Sequence, residues 1–301
     1  MYEGLSSPNI HTPKSISEYA SIVLHYPLSK IWAGGTFIMT RPDAYPSKAL
    51  NAEIIYLGEM EELHRFQRND RSAEFGAMVT LDEILNTGKS VLPRVLIDNI
   101  TSIGFRVITR RATIGGAIAT HDFTTSFPGT LIVLDASAEV RFLKKKRLHS
   151  RWMQMTRLLD KNGRITLPQS GMISRVRIAF SEKNFQYFEE IGSFMTDPRN
   201  AVSAAFAGTL EQDILINPRI AFTFPNHGIC YSRDIDNIFT TLHFPLDDSE
   251  FMTLESIIFT FIDSTFQNLS PLQRTRTRGL LRNIIDALNE DSLTVPPDER
   301  Q

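Results

Sequence analysis

Lys30-Ile-Trp-Ala-Gly-Gly-Thr36 opens as a short apolar, strand-like run and breaks off in a glycine pair followed by a threonine. The same device returns at Thr113-Ile-Gly-Gly116, again ahead of a segment able to turn. Paired glycines let backbone amides approach an anion with no Cβ in the way, and the adjoining threonine offers a hydroxyl. Taken singly, each pair reads as a tight turn. Brought together, the two would hold a pyrophosphate from both sides. The chain contains no Gly-x-Gly-x-x-Gly and no Walker-type lysine motif, so a Rossmann dinucleotide site or a P-loop has no support.

Outward from the first turn, Ser15-Ile-Ser-Glu18 is a capping-box pattern, and Ile16, Tyr19, Ala20, Val23 and Leu24 follow at helical spacing. Tyr2 to Pro13 reads as an extended lead-in, and Glu53 to Leu57 as a second strand. A further strand is expected over Ala73–Val79, and a second capping box, Thr80-Leu-Asp-Glu83, opens a short helix stopped by Asn86-Thr87-Gly88. The apolar pattern predicts a helix over Ser90–Ile103. The stretch after the second glycine pair is helix-like or irregular, and the apolar run Thr130–Leu134 comes next. Alternation marks strands over Ala138–Phe142 and Ile173–Phe180. Lys144-Lys145-Lys146-Arg147 between them reads as a solvated hairpin tip. Later, Ala201–Leu210 and Ile214–Phe224 read as paired strands. Asp234–Leu242, Phe251–Phe266 and Pro271–Leu288 read as helices, the last capped by Ser270 with proline in first position. The expected organisation is three units, residues 1–62, 63–182 and 183–291, with 292–301 as a flexible tail.

Composition narrows the function. The 301 residues carry 32 basic and 34 acidic side chains, a net charge of −2, which excludes a protein that coats nucleic acid or anionic lipid. No apolar run is long enough for a membrane span, and the first twenty residues lack the apolar centre of a signal peptide. The single cysteine, Cys230, excludes an internal disulfide and an iron–sulfur cluster held by this chain alone, because a cluster needs about four cysteines. It also points to the cytoplasm. Cys230 itself reads as a small apolar strand residue.

Other candidates carry less chemistry. Arg110-Arg111 could pair a phosphate or lie exposed at a strand end. His121-Asp122 suggests a base with an orienter, but no nucleophile accompanies it. The seven histidines show no metal-ligand spacing. Arg274, Arg276, Arg278 and Arg282 suggest a solvated or subunit-facing helix.

Ala33-Gly-Gly-Thr36, Ala77-Met-Val-Thr-Leu-Asp-Glu-Ile-Leu85 and Arg111-Ala-Thr-Ile-Gly-Gly116 stand in the order and spacing of a known family. In this the chain resembles the FAD-binding subunit of molybdopterin dehydrogenases, which include the medium subunit of carbon monoxide dehydrogenase and the flavin portion of xanthine dehydrogenase. Pro128–Ala136, Met172–Ile178 and the C-terminal Asn200–Leu288 fit the same pattern. The resemblance implies an α+β chain: a two-subdomain FAD-binding fold of the vanillyl-alcohol-oxidase-like type, then a small C-terminal α+β domain. It implies FAD contacts at Lys30, Ile31, Trp32, Ala33, Gly34, Gly35, Thr36 and Phe37, and at Thr113, Ile114, Gly115 and Gly116. Ile173 would lie near the isoalloxazine ring.

Six positions depart from the family pattern. Ala117 stands where an asparagine is common, and Asp122-Phe123 where a Ser-Pro pair is. Ser126 replaces an aspartate, Phe37 an acidic or small polar residue, and Glu189 a basic one. Each lost ligand hydrogen bond costs about 0.5–1.5 kcal/mol. Thr120, Asp122 and Ser126 are the local substitutes. The implied function is electron transfer, in a complex with an iron–sulfur subunit and a molybdenum-cofactor subunit, towards NAD or another acceptor. The flavin carries the redox chemistry, so no acid–base catalyst is assigned. The alternative is a scaffold subunit with an eroded flavin site.

Overall fold

A computed structural model of the chain describes residues 8–40, 53–87, 91–120, 125–180 and 183–294. The expected features at Gly88, Ser90, His121, Asp122-Phe123 and Pro296-Pro297 lie outside these residues.

The first sheet is parallel, with β1 (Asn9–His11) and β2 (Lys30–Trp32) flanking β3 (Glu53–Tyr56). Helix α1 (Ile16–His25) starts where its cap places it, the Ser15 hydroxyl accepting the Glu18 amide at 3.3 Å. The lead-in is more than extended chain: it supplies β1, a strand too short to show any period. Tyr19, Val23, Ile55 and Leu57 form a small core, closed by Met172 from the next sheet and by Met78 from the loop beside it.

That second sheet is antiparallel, in the order β4-β5-β8-β6-β7. It comprises β4 (Phe66–Arg68), β5 (Ser72–Gly76), β6 (Ser137–Lys144), β7 (Arg147–Gln154) and β8 (Met172–Ala179). Its inner face packs on α3 (Leu81–Asn86), α4 (Arg94–Ser102), α6 (Ile114–Ala119) and α7 (Phe127–Val133). Between α4 and α6 runs a single turn, α5 (Arg106–Thr109). Three expectations shift here. β5 ends at Gly76, because Ala77–Val79 leave the sheet to serve the second glycine turn. α4 starts at Arg94 behind Pro93, and the apolar run at Thr130 is the buried heart of α7.

The third sheet runs β12-β11-β10-β9, from β9 (Phe185–Ile191), β10 (Val202–Glu211), β11 (Ile214–Phe224) and β12 (Gly228–Cys230). Helices α8 (Arg233–Phe239), α9 (Asp248–Thr265) and α10 (Pro271–Thr294) build the C-terminal core on it. β10 and β11 are buried on both faces. Phe206 and Phe222 enter the C-terminal core, while Ala205, Ala207 and Ala221 face the second sheet's core. The alanines let α7 approach so closely that a Cβ on Gly129 would lie 2.5 Å from the Thr223 hydroxyl.

Helix α10 takes Ser270 as its cap, and it carries on to Thr294 with Ser292 buried, into the stretch read as a tail. Its arginines cross to α9: Arg274 pairs with Asp263, Arg278 with Glu255 and Arg282 with Asp248. These pairs brace the two helices against each other, and the arginines stay partly exposed along them. Among the described residues no helix is long and apolar enough to cross a membrane.

Candidate functional site

The two glycine turns meet. A Cβ on Gly34 would run into the carbonyl of Arg111, two residues before Thr113, and one on Gly116 would lie 3.9 Å from the Ala33 Cβ. So Gly34 is glycine because the backbone of the other turn passes over it. Gly35 is glycine for a second reason: its φ is +75°, in the left-handed region that side chains disfavour. A Cβ there would also press on the Trp32 indole nitrogen at 2.6 Å.

The first turn hangs on the parallel sheet. Leu57 donates its amide to the Trp32 carbonyl at 2.9 Å, and α2 (Thr36–Thr40) follows directly, with the Met39 amide reaching the Gly35 carbonyl at 3.0 Å. Among the described residues no acceptor takes the amides of Gly34, Gly35 or Thr36. Three successive open amides around a positive-φ glycine form a concave anion-binding nest.

The second turn is built differently. Ile114 donates to the Val79 carbonyl at 2.9 Å and Gly115 to the Ala77 carbonyl at 3.0 Å. Thr113 caps α6, its hydroxyl accepting the Gly116 amide at 3.1 Å, and its carbonyl takes the Ala117 amide at 2.8 Å. Every amide from Ile114 to Ala117 is therefore occupied. Ala77, which receives Gly115, donates its own amide to Ser174 at 2.9 Å, so the turn is stitched through Ala77–Val79 to β8. This explains the Ala77–Leu85 motif: it is the ledge on which the second turn rests, and Thr80 bridges to Thr113 while capping α3. A Cβ on Gly116 would crowd the Thr113 hydroxyl at 2.9 Å, and beyond it would meet only the Ala33 Cβ at 3.9 Å, so the flank of this glycine away from Thr113 is uncovered.

The remaining candidates lie around this junction. Ile31 and Ala33 are partly buried on the first core, and Lys30 is exposed at the strand start. Thr120 ends α6 with its hydroxyl on the Gly116 carbonyl at 2.8 Å. Ile173 is buried beside Ser174. Ser126 is buried too, and its hydroxyl is engaged inward: it accepts from Asn99 at 2.6 Å and donates to Glu190 at 3.1 Å. Glu189 turns the other way and accepts from Asn283 at 2.9 Å. Arg110 shares Asp82 with Arg106, which leaves Arg111 as the exposed cation at the junction without an ion pair among the described residues.

Sequence reasoning missed Asn99 and Glu190. Burial pushes the Glu190 carboxyl up to about 7, against the opposing hydrogen bonds from Ser126, the Phe194 amide and Ser102. No local motif announces this, because two of the three groups come from far away in the chain, Ser102 at the end of α4 and Ser126 at the cap of α7. Cys230 is buried in β12, where burial pushes its thiol up, as suits an inert packing residue.

The donor set fits a dinucleotide's pyrophosphate. The first turn offers open amides, the second offers close approach across Gly116, and Arg111 adds positive charge.

A family model described as the FAD binding domain in molybdopterin dehydrogenase matches residues 6–180. No curated protein matches the chain. Among solved structures, quinoline 2-oxidoreductase from Pseudomonas putida 86 superposes with a TM-score of 0.76 at 17% identity, covering 96% of this chain and 99% of that one. Reconstituted CO dehydrogenase from Oligotropha carboxidovorans gives 0.76 at 14%, covering 95% and 98%. Carbon monoxide dehydrogenase from Hydrogenophaga pseudoflava gives 0.75 at 15%, covering 94% and 96%. At such identities the likeness is one of fold, and it extends over all three sheets. With the matched model spanning more than half of its length, the chain belongs to the family of FAD-binding domains of molybdopterin dehydrogenases.

Proposed function

We propose that this chain is the electron-transfer flavoprotein of a heteromeric molybdenum hydroxylase or dehydrogenase. FAD would lie across the two glycine turns, held by Lys30–Phe37 and Thr113–Gly116. Thr120, Ser126 and Ile173 would shape the site from behind. The partners would be an iron–sulfur subunit and a molybdenum-cofactor subunit, with NAD or another molecule as acceptor, in the cytoplasm. Two observations support the partners. One cysteine cannot hold a cluster, and a solved structure of similar fold is named as a Cu,Mo-CO dehydrogenase.

The reading rests chiefly on the open amides of Gly34, Gly35 and Thr36 beside the uncovered Cα of Gly116. Bound there, FAD would supply the redox chemistry, taking electrons from a partner's clusters and passing them on. The chain's own residues do three things. The first turn binds the pyrophosphate through backbone donors. The second, with its amides spent, acts as a rigid wall that fixes the distance of approach. Arg111 neutralises charge at the rim.

The second turn's full internal bonding also favours the other reading, a scaffold that keeps the fold without the flavin. Titrating the apo chain with FAD, followed by flavin fluorescence, separates the two. The parent should bind, and Gly116→Val should lose binding with its circular dichroism unchanged. Full affinity in Gly116→Val removes the second turn from the site. A parent chain that takes up no FAD favours the scaffold.

A further inference from the structure

The hairpin of β6 and β7 carries a charge that the flavin site does not use. From Arg141 to Lys161 the chain has eight cations and a single carboxylate, Asp160, within a protein of net charge −2. Arg141 is paired with Glu62 and Glu139. Lys144 to Arg147, with Arg151, Arg157 and Lys161, are exposed and have no ion-pair partner among the described residues. Elsewhere Arg175 and Arg177 of β8 and Arg274, Arg278 and Arg282 of α10 are engaged by carboxylates.

The tip is also conformationally costly. Lys144 faces Arg147 across a two-residue turn, and the two central residues, Lys145 and Lys146, have φ of 51° and 60°. Such a turn favours Asn-Gly, and a lysine in the left-handed region is strained. The sequence thus keeps two lysines where turn chemistry alone would choose otherwise.

Beyond the tip, β7 is the edge of its sheet, and among the described residues no strand pairs its outer side. Arg147, His149 and Arg151 alternate along it, so they share one face and sit opposite Lys144, Phe142 and Val140 of β6. A strand added to the free edge would meet them with every second side chain.

Two other polyanions fit less well. The hairpin's rings are occupied: Phe142 stacks on His149 at 5.9 Å, and Trp152 lies under Arg177 at 4.1 Å. No free platform is left for nucleic-acid bases. No large apolar residue of the hairpin is exposed to enter a membrane.

We propose that the β6–β7 hairpin is a docking edge for an acidic, extended segment of another polypeptide, carrying carboxylates at alternate positions and adding to the free side of β7. The test uses the full-length protein and a fluorescein-labelled Glu-Val repeat peptide, with its Gln-Val counterpart, an oligothymidylate and phosphatidylserine vesicles as comparisons. The Glu-Val peptide should bind with an affinity that falls steeply with salt, and the Gln-Val peptide should not. Arg147→Glu with Arg151→Glu should weaken it about tenfold or more. Lys145→Asn with Lys146→Gly should raise the Tm yet weaken binding about threefold, a split that a purely structural turn would not show. Three results would overturn the proposal: no binding by the parent, unchanged affinity after charge reversal, or better competition by the oligothymidylate or the vesicles. Unchanged affinity would mean that the cations merely guard an edge strand against aggregation.

Discussion

The two glycine turns look alike in sequence and are opposites in structure. The first has open amides and a left-handed glycine; the second has every amide spent and no positive φ at either glycine. A Gly-Gly pair can therefore be a donor set or a clearance. At Gly34 and Gly35 the missing side chains permit a backbone crossing and a left-handed turn. At Gly115 the missing Cβ lets the helix sit on Ala77, whose Cβ would be 2.7 Å away. The second turn holds the first in place, and in the proposed site the first would do the binding.

Substitutions can break this division of labour, and the largest effect is expected at the crossing. Gly34→Ala drives a methyl into the Arg111 carbonyl, which cannot swing aside as a side chain could. It should cost about 3 kcal/mol in urea unfolding and abolish FAD binding as the turns separate. A nearly equal effect should appear behind the second turn. Glu190 holds its proton in the folded chain up to about 7 and releases it near 4.5 when unfolded. Stability should accordingly fall as pH rises from 4.5 to 7, by about 3 kcal/mol in all, and stay low above that. Glu190→Gln should flatten the profile, as read from urea midpoints between pH 4 and 8; a profile as steep as the parent's would mean that another group titrates. Ser126→Asp, which restores the family residue, should now destabilise at pH 8, because it sets a second carboxylate against Glu190.

Smaller effects sharpen the contrast. Gly35→Ala should cost about 1–2 kcal/mol through its positive φ and weaken FAD binding, since the nest loses its shape. Thr113→Ala removes only the cap of α6 and should cost about 1 kcal/mol. If the second turn is a wall, flavin titration should show affinity falling much less for Thr113→Ala than for Gly35→Ala. Equal losses would mean that the turns share the binding.

Much of the fold was legible because it is written in local chemistry. The caps at Ser15, Thr80 and Ser270 and the alternation of β8 mark their elements directly. Both glycine turns were visible, and their convergence was a fair inference. What could not be read was the fate of the amides, since it depends on Ala77 and Val79, far away in the chain. β7 escaped notice because its edge position fills it with charge, and β9 because Phe185 alone of its residues is buried, which leaves no apolar alternation to read. The inward turn of Ser126 has the same origin: its neighbour Glu190 lies sixty-four residues on.

The alanine face of β10 and β11 has one more consequence. Two cores share this sheet as a party wall, so neither can melt without uncovering a face of the other. Cutting the chain near residue 182 would expose the whole α7 face to water and leave a fragment prone to aggregation. The flavin-binding region and the C-terminal region are expected to unfold as one cooperative unit, giving a single calorimetric transition where three sheets might suggest two or three.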